Sequence, residues 1–316
     1  MLMETIFLTY PIEKQDPKAQ KIVLAIGYFD GVHLGHQAVI KEAVMLAKEL
    51  DAVPAVMTFH PHPREVLGQA GVNRYLTPLP AKLDQFAKLG VQRTYVIKFD
   101  LDFASLKKED FVEKVLHPLG VKGIVTGFNF TFGRCAAGKA SDLPLLVRGR
   151  FVTRIVEPIL SGEIAASSTR LRQALDAGDV EVACRILGRP YELKGKVVTG
   201  DQRGRKIGFP TANLDLLDPY LVPKRGVYIV SASVGGEKSY GIMNIGVRPT
   251  FADPVPRESL EVHLLGKNVQ LYGQILSVEF LSFIREEKKF PSVDELIKQI
   301  QSDREYAENW LKEFVE

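Results

Sequence analysis

The stretch Ala25-Ile-Gly-Tyr-Phe-Asp-Gly-Val-His-Leu-Gly-His36 decides the fold of the first half of the chain. It continues a short β-branched run, Ile22–Ile26, and opens a segment with helical periodicity. Gly27, Gly31 and Gly35 allow the backbone to turn tightly and to approach a ligand closely. A helix that starts in such a turn offers unpaired N–H groups to phosphate. The stretch therefore predicts a strand, a phosphate-binding turn and a helix in an α/β domain.

The same alternation of β-branched runs and amphipathic segments continues from Lys21 to about Cys184. The predicted strands are Ile22–Ile26, Ala55–Phe59, Thr94–Lys98, Gly123–Thr126 and Val152–Val156. The predicted helices between them include Gln37–Leu50, Ala81–Leu89 and Lys108–Leu116. This order predicts a Rossmann-like domain with a parallel sheet, whose ligands lie at the carboxyl ends of the strands.

The second half of the chain changes to closely spaced strands. A short predicted helix, Val180–Leu187, runs into Gly188-Arg-Pro190, where helical periodicity stops. We therefore predict two domains, residues 1–184 and residues 185–316. The predicted strands of the second are Leu193–Val198, Gly226–Ala232, Ser239–Asn244, Leu260–Leu265 and Ile275–Phe280. Short antiparallel strands without intervening helices predict a small β-barrel.

The end of the chain, Ser292–Phe314, has the periodicity of one amphipathic helix. Ser292 is the predicted N-cap, and Glu295 lies where it can complete a capping box. This helix is expected to pack on the barrel.

The composition is that of an ordinary globular chain, with 46% hydrophobic and 25% charged residues among 316. A formal charge of +3, from 41 basic and 38 acidic residues, is too small to indicate a nucleic-acid surface. The two cysteines, Cys135 and Cys184, do not have the spacing of a disulfide framework or a zinc site. With no visible export signal and no apolar run of about 18 residues, we expect a cytoplasmic protein without membrane association, a monomer or a weak homo-oligomer.

Two histidines three residues apart, His33 and His36, lie in the turn at the end of the first strand. Their ring N–H groups can point at phosphoryl oxygens, where they would neutralise charge on a five-coordinate phosphorus. The alternative is a glycine-rich loop with two surface histidines, but the position between a strand and a helix favours the phosphate site. A zinc site is disfavoured because no further His or Cys lies at a plausible spacing.

A second phosphate-binding helix start is predicted at Ser167-Ser-Thr-Arg-Leu-Arg172. The hydroxyls of Ser168 and Thr169 can cap this helix, and Arg172 lies about one turn further on, on the same face. Alone, the pattern is also that of a common N-cap followed by an exposed arginine. Together with the two histidines, it predicts the other side of a triphosphate-binding site.

These motifs resemble the nucleotidylyltransferase superfamily, which combines His-x-Gly-His with Ser-Thr-x-x-Arg and forms no covalent enzyme intermediate. More narrowly, Gly27–His33 is similar to the flavin-adenylating branch, as are Phe59-His-Pro-His-Pro63 and Gly127-Phe-Asn-Phe-Thr-Phe-Gly133. Tyr28 and Asn129 stand where many relatives have Asn and Asp, which leaves the roles of these two positions open.

The resemblance implies roles for residues of the first half. His33 and His36 would stabilise the ATP α-phosphate. The β- and γ-phosphates would be held by Ser168, Thr169 and Arg172. Further ATP contacts are implied for Gly27, Phe29, Asp30 and Gly35. The FMN side would be formed by His60, His62 and Asn129. Core packing and contact with the flavin are equally open for Phe128, Phe130 and Phe132.

In the second half, Gly200-Asp-Gln-Arg-Gly-Arg-Lys-Ile-Gly-Phe-Pro-Thr-Ala-Asn-Leu214 predicts a cationic phosphate-binding loop. Pro210 favours an extended segment after the loop, in which Thr211 and Asn213 project to one face. Their hydroxyl and amide oxygens are hard donors that suit Mg²⁺ carrying nucleotide phosphates. Without more support, the stretch could equally be a turn with an incidental Thr and Asn.

Pro-Thr-Ala-Asn resembles the hallmark of the riboflavin kinases, and the resemblance continues through nearly the whole second half. The matching stretches are Leu187–Tyr191, Gly226–Tyr228, Met243–Thr250, Glu261–His263, Leu271–Gly273 and Phe283–Arg285. The resemblance implies that Glu261, otherwise a solvent-facing strand carboxylate, takes the proton from the ribityl 5′-hydroxyl as it attacks the ATP γ-phosphate. Thr211 and Asn213 would bind Mg²⁺, and nucleotide or flavin contacts are implied for Gly204, Lys206, Gly208, Pro210 and Arg285. His263 is expected to be a packed barrel side chain.

Taken together, the two resemblances imply a bifunctional enzyme. The barrel would convert riboflavin and ATP to FMN and ADP, and the N-terminal domain would convert FMN and ATP to FAD and pyrophosphate, both with Mg²⁺. One alternative is a cytidylyltransferase acting on a phospho-alcohol, with a regulatory barrel; the nearly complete kinase pattern argues against it. The other is a flavin-binding regulator or carrier, which would gain nothing from the intact phosphoryl-transfer groups.

Overall fold

The structure, a computed structural model, describes residues 3–13, 20–68, 74–162, 164–200, 204, 207–248, 257–266 and 270–315. It consists of two compact units, residues 1–168 and residues 169–316. The domain boundary between residues 184 and 185 stays a prediction.

The first unit is built on a six-stranded parallel sheet. Its strands in chain order are β1 (Glu4–Leu8), β2 (Ile22–Ile26), β3 (Val53–His60), β4 (Arg93–Lys98), β5 (Val121–Gly127), β6 (Thr131–Phe132), β7 (Gly138–Lys139), β8 (Val152–Val156), β9 (Leu160–Ser161) and β10 (Ile164–Ala165). The large sheet has the order β1-β4-β3-β2-β5-β8, and β6/β7 and β9/β10 are small antiparallel pairs.

Helices cover both faces of this sheet, as its hydrophobic central strands require. The α-helices of the described part of this unit are α1 (Leu34–Glu49), α2 (Pro63–Val66), α3 (Leu79–Lys88), α4 (Leu101–Ala104), α5 (Lys108–Phe111), which continues into a π-helical turn at Val112–Leu116, and α6 (Leu143–Val147). Strand β2 is buried along its whole length, with alternate residues entering two core clusters. Strand β2 is thus held rigidly, and with it the turn that follows.

The second unit is a closed antiparallel barrel with helices. Helix α7 (Ser168–Ala177) begins at the division between the units, and α8 (Val180–Leu187) follows. The barrel strands are β11 (Tyr191–Val198), β12 (Ala212–Leu216), β13 (Gly226–Val234), β14 (Glu237–Arg248), β15 (Arg257–Leu264) and β16 (Ile275–Arg285), in the order β11-β12-β15-β14-β13-β16. The C-terminal helix is α9 (Val293–Val315). Alternating burial along β11 and β16 directs every second side chain into the barrel.

The predicted fold class is confirmed, and the differences have local causes. The edge strand β1 was not predicted because its residues are only partly buried and it pairs with β4 alone. The predicted helix at Lys108–Leu116 is α-helical for its first turn and then widens into a π-helical turn. The predicted N-cap of the last helix is confirmed, since Ser292 Oγ accepts a hydrogen bond from the Glu295 N–H.

Candidate active sites

The turn after β2 is a strained, tightly packed segment. Phe29 and Val32 are both buried and have φ angles of 56° and 44°, in the left-handed region that non-glycine residues rarely adopt. A Cβ atom at Gly27 would lie 2.9 Å from the Phe29 ring, and one at Gly35 would lie 3.1 Å from Cε1 of His33. These two glycines are therefore required for the turn and its rings to pack closely.

His33 and His36 form a stacked pair at the start of α1. Their ring centroids are 3.6 Å apart, with the planes inclined by 21°. His33 is the N-cap of α1, and its Nδ1 accepts a hydrogen bond from the His36 backbone N–H at 3.3 Å. Because Nδ1 of His33 is an acceptor, the proton of the neutral ring lies on Nε2. That geometry leaves the Nε2–H of His33 as the ring donor.

The surroundings of His36 favour the neutral form of its imidazole. Burial lowers its pKa well below the ordinary value, and the positive charges available to His33 and Lys82 lower it further. Its Nδ1 is buried and has no hydrogen-bond partner among the described residues. The Phe29 ring packs edge-on against it at 5.3 Å. An imidazole in this state has one ring N–H to donate.

Asp30 connects the turn to two neighbouring segments. It is 4% exposed, and its Oδ1 accepts a hydrogen bond from the Thr77 N–H at 3.1 Å. Its backbone carbonyl accepts a hydrogen bond from the Ser168 hydroxyl at 2.8 Å. Ser168 is the last residue of the first unit, so this hydrogen bond lies within that unit. Thr169 and Arg172 follow on α7 in the second unit, and their phosphate role stays a prediction.

The predicted flavin-side residues lie after β3 and β5. The ring of His62 packs against the Tyr28 ring at 4.1 Å, and its Nδ1 caps α2 by accepting from the Arg64 N–H. His60 ends β3, and partial desolvation of its ring lowers its pKa, with the charge of Lys82 acting in the same direction. Asn129 is exposed after β5.

The three phenylalanines around Asn129 differ in their surroundings. Phe132 is buried in the core and stacks on Phe130 at 5.6 Å. Phe128 is 51% exposed. Phe132 is therefore a core residue, and Phe130 packs against the same core. Phe128 is not part of the core.

Lys82 on α3 belongs to this site, although nothing in its sequence context distinguished it from a surface lysine. It is 3% exposed, and its Nζ donates to the Tyr28 carbonyl at 2.8 Å while lying 4.0 Å from the centroid of the Tyr28 ring. The Thr58 hydroxyl donates to the same carbonyl at 3.0 Å. Burial lowers the pKa of Lys82 to about 8, against the opposing influence of Asp30.

In the barrel, the predicted base and a predicted metal ligand are in contact. The Thr211 hydroxyl donates to Oε2 of Glu261 at 3.3 Å, and the Ser259 hydroxyl donates to Oε1 at 3.0 Å. Asn213 on β12 lies opposite Glu261 on β15 and is 8% exposed. Asn244 on β14 lies opposite Glu261 from the other side. Ser259 is a member of the cluster that the sequence pattern did not indicate.

Glycines before β12 make close contacts with this cluster. A Cβ atom at Gly200 would lie 2.3 Å from Nδ2 of Asn213. At Gly204 it would lie 2.3 Å from the Phe209 carbonyl oxygen and 3.4 Å from Oγ1 of Thr211. Any side chain at either position would displace the groups that line the site. Gly208 has a φ of 89°, in the left-handed region that glycine adopts more easily than other residues. The predicted Lys206 lies outside the described residues.

His263 and Arg285 are occupied by structural contacts. His263 Nδ1 lies 2.9 Å from the Pro210 carbonyl, to which it donates, and its ring packs against Phe209. Arg285 forms an ion pair with Asp303 of α9, with Nη2 2.7 Å from Oδ2 and Nε 2.9 Å from Oδ1. Asp303 is 4% exposed, so the pair fixes the end of β16 to the helix. The flavin contact of Arg285 stays a prediction.

Comparison with known proteins assigns each half. Residues 15–170 match the FAD synthetase family, and residues 187–311 match the riboflavin kinase family. The bifunctional riboflavin kinase/FMN adenylyltransferase of Bacillus subtilis (strain 168) is 44% identical over 307 residues, 96% of this chain and 97% of the relative. The protein of the same name from Escherichia coli (strain K12) is 39% identical over 287 residues, 89% of this chain and 90% of the relative.

A crystal structure of a macrolide-efflux protein from Streptococcus pneumoniae has the same fold over 98% of this chain and all of that chain, with a TM-score of 0.89 and 33% identity. In the part of the chain that the structure describes, no helix has the length and apolar character to cross a membrane. The two family matches, and relatives that align across almost the full length, show that the chain belongs to the family of bifunctional riboflavin kinase/FMN adenylyltransferases.

Proposed function

We propose that this chain makes FMN and then FAD, with the barrel phosphorylating riboflavin and the first unit adenylylating FMN. The observation that carries the kinase assignment is the contact between Thr211, Glu261 and Ser259. A carboxylate held by two hydroxyl donors keeps a fixed orientation, which a general base requires. Glu261 takes the proton from the ribityl 5′-hydroxyl as that oxygen forms a bond to the γ-phosphorus of ATP and the bond to the β-phosphate oxygen breaks, leaving ADP.

The residues around Glu261 fit Mg²⁺ that arrives with ATP. The described residues contain no group of three His, Cys, Asp or Glu side chains arranged to hold a metal by themselves. Thr211 and the buried Asn213 instead offer neutral oxygens, which suits a cation that takes most of its ligands from phosphates and water. Bound there, Mg²⁺ would neutralise charge on the transferring phosphate.

The stacked histidines support the adenylylation step in the first unit. In that step a phosphate oxygen of FMN bonds to the α-phosphorus of ATP, and pyrophosphate leaves. The Nε2–H of His33 and the single ring N–H of His36 would donate to the α-phosphate oxygens, whose charge increases in the transition state. Neutral imidazole donors at this position stabilise charge without transferring a proton.

The remaining assignments complete the two sites. For adenylylation, the proposed β- and γ-phosphate contacts are Ser168, Thr169 and Arg172, and the further proposed ATP contacts are Gly27, Phe29, Asp30 and Gly35. His60, His62 and Asn129 contact FMN. In the kinase site, Gly204, Lys206, Gly208 and Pro210 form the nucleotide loop and Arg285 lies toward the flavin.

The test is a time course with purified protein, riboflavin, ATP and Mg²⁺, followed by chromatographic separation of the flavins. FMN should appear first and FAD second. The amount of ADP should equal that of FMN and FAD together, and the amount of pyrophosphate should equal that of FAD. Omission of Mg²⁺, or addition of a chelator, should stop both steps. Release of pyrophosphate from CTP with a phospho-alcohol would favour a cytidylyltransferase, and flavin binding without any product would favour a carrier.

A further inference from the structure

The buried ammonium of Lys82 has no assigned role in either of the two proposed reactions. Among the described residues, its hydrogen-bond partner is the Tyr28 carbonyl, and the Tyr28 ring lies on one side of it. An ammonium has three N–H donors, and a buried lysine is rare unless it is paired. The charge of Asp30 acts on it, but the carboxylate Oδ1 accepts from the Thr77 N–H.

Lys82 is not needed to satisfy the backbone of the turn. The carbonyl of Tyr28 also accepts the Thr58 hydroxyl at 3.0 Å, so it would keep a donor if Lys82 were replaced. A buried charge without a full set of hydrogen bonds reduces the stability of the folded state. Such a group is found where function requires it rather than where stability does.

The groups that interact with Lys82 belong to the proposed adenylylation site. Among the described residues, its charge interacts with those of Asp30 in the turn, His36 on α1 and His60 at the end of β3, and its Nζ lies over the ring of Tyr28. Its charge acts on both His36 and His60, which belong to the proposed ATP and FMN sides of the site. In a water-poor site a positive charge attracts phosphate far more strongly than it does in bulk water.

We propose that Lys82 is an electrostatic residue of the adenylylation site, whose positive charge draws a phosphate group of the nucleotide substrates toward the stacked histidines. This inference rests on the proposed adenylylation activity. The phosphate belongs either to ATP or to FMN. Removing the charge should raise the KM for the substrate that carries this phosphate.

The direct test compares Lys82→Met with Lys82→Arg and with Lys41→Met, an exposed control on α1. At pH 7, Lys82→Met should lower kcat/KM for FAD formation by about tenfold or more, as expected for loss of a charged group at a phosphate site. Lys82→Arg should retain most of the activity. A higher KM for ATP would identify the triphosphate as the ligand, and a higher KM for FMN would identify the flavin phosphate. Equal kcat/KM in Lys82→Met and the wild type would overturn the proposal.

A pH profile separates the electrostatic role from a structural one. Because the pKa of Lys82 is lowered to about 8, its charge is lost as the pH rises through that value, and adenylylation should decline there. The decline should be absent in Lys82→Met and should move to higher pH in Lys82→Arg. A decline that persists unchanged in Lys82→Met would contradict the proposal.

Stability gives an independent readout. A folded-state pKa below that of the unfolded chain means that protonated Lys82 destabilises the fold at pH 7, and that this cost disappears as the pH rises from about 8 toward 10.5. Lys82→Met should therefore not lower the melting temperature of the first unit at pH 7. A lower melting temperature together with lost FAD formation would assign Lys82 a structural role instead.

Binding of inorganic pyrophosphate, measured by titration calorimetry, tests the charge without turnover. The wild type should bind it more tightly than Lys82→Met, by about tenfold. If the wild type forms no FAD, the proposed function fails, whereas the calorimetric comparison still decides the role of Lys82. Equal pyrophosphate affinity in the two proteins would exclude an anion-binding role.

Discussion

Thr211 and Glu261, fifty residues apart in the chain, are joined by a hydrogen bond of 3.3 Å from the threonine hydroxyl to the carboxylate. Thr211 lies immediately before β12 and Glu261 lies in the middle of β15, and these two barrel strands pair antiparallel. The kinase motif and the carboxylate predicted as its base therefore form one cluster. Its function can be tested one residue at a time.

Replacing the carboxylate should remove the first step alone. Glu261→Gln keeps the shape of the side chain but cannot accept the hydroxyl proton, so FMN formation should fall by about 10²-fold or more. FAD formation from added FMN should continue at the wild-type rate. Glu279→Gln, which alters a barrel carboxylate paired with Lys238, is the matched control and should leave both rates unchanged. If Glu261→Gln loses both FMN formation from riboflavin and FAD formation from added FMN, the substitution has destabilised the protein as a whole.

Ser259 is expected to position Glu261. Loss of one hydrogen bond to a charged group in Ser259→Ala should lower kcat for FMN formation about tenfold, with little change in the KM for riboflavin. Ser259→Thr should restore most of the rate. Ser231→Ala is the control, because the Ser231 hydroxyl is also buried in the barrel but has no partner among the described residues. If both alanine variants lower kcat for FMN formation equally, Ser259 does not position Glu261.

Gly200 should be intolerant of any side chain. In Gly200→Ala the new Cβ would lie 2.3 Å from Nδ2 of Asn213, so one of them must move. A shift of about 1 Å in a positioning group can cost about 10²-fold in rate, and FMN formation should decrease accordingly. FAD formation from added FMN serves as the internal control. A fully active Gly200→Ala kinase would show that Asn213 has no fixed role.

The second step should depend on His36. His36→Ala removes a donor to the α-phosphate and should lower FAD formation by about 10²-fold or more, so that FMN accumulates. His117→Ala changes an exposed histidine of the same unit and should have no effect. If FAD formation survives in His36→Ala, the stacked pair is not the site of adenylylation.

His36 should also make the first unit less stable in acid. Its folded-state pKa lies well below its ordinary value of 6.5. As the pH falls below 6.5, His36 therefore becomes protonated in the unfolded chain but stays neutral in the folded state. The free energy of unfolding should decrease over that interval, and the decrease should be smaller in His36→Gln than in the wild type or His117→Gln. Urea unfolding at pH 7.5 and pH 5.5 measures the difference. An identical pH dependence in all three proteins would argue against a lowered pKa of His36 in the folded state.

The sequence indicated candidate residues that lie in local motifs, but not the residues that pack around them. The glycine-rich turn and Pro-Thr-Ala-Asn are local patterns, so His33, His36, Thr211 and Asn213 could be proposed as site residues without coordinates, and their roles stay predictions. Lys82 and Ser259 could not, because a lysine on an amphipathic helix and a serine on a strand are ordinary until tertiary packing buries them. The ion pair between Arg285 and Asp303 is likewise a contact between distant segments.

The most direct test of two separate sites is a mixture of two variants, each of which lacks a different one of the two activities. Glu261→Gln alone should leave riboflavin nearly unchanged, and His36→Ala alone should stop at FMN. Equimolar amounts of both variants, given riboflavin, ATP and Mg²⁺, should make FAD, because FMN released by the intact kinase site of one protein is adenylylated by the other. Absence of FAD from the mixture, with both variants folded and each retaining its other step, would contradict the assignment of one reaction to each unit.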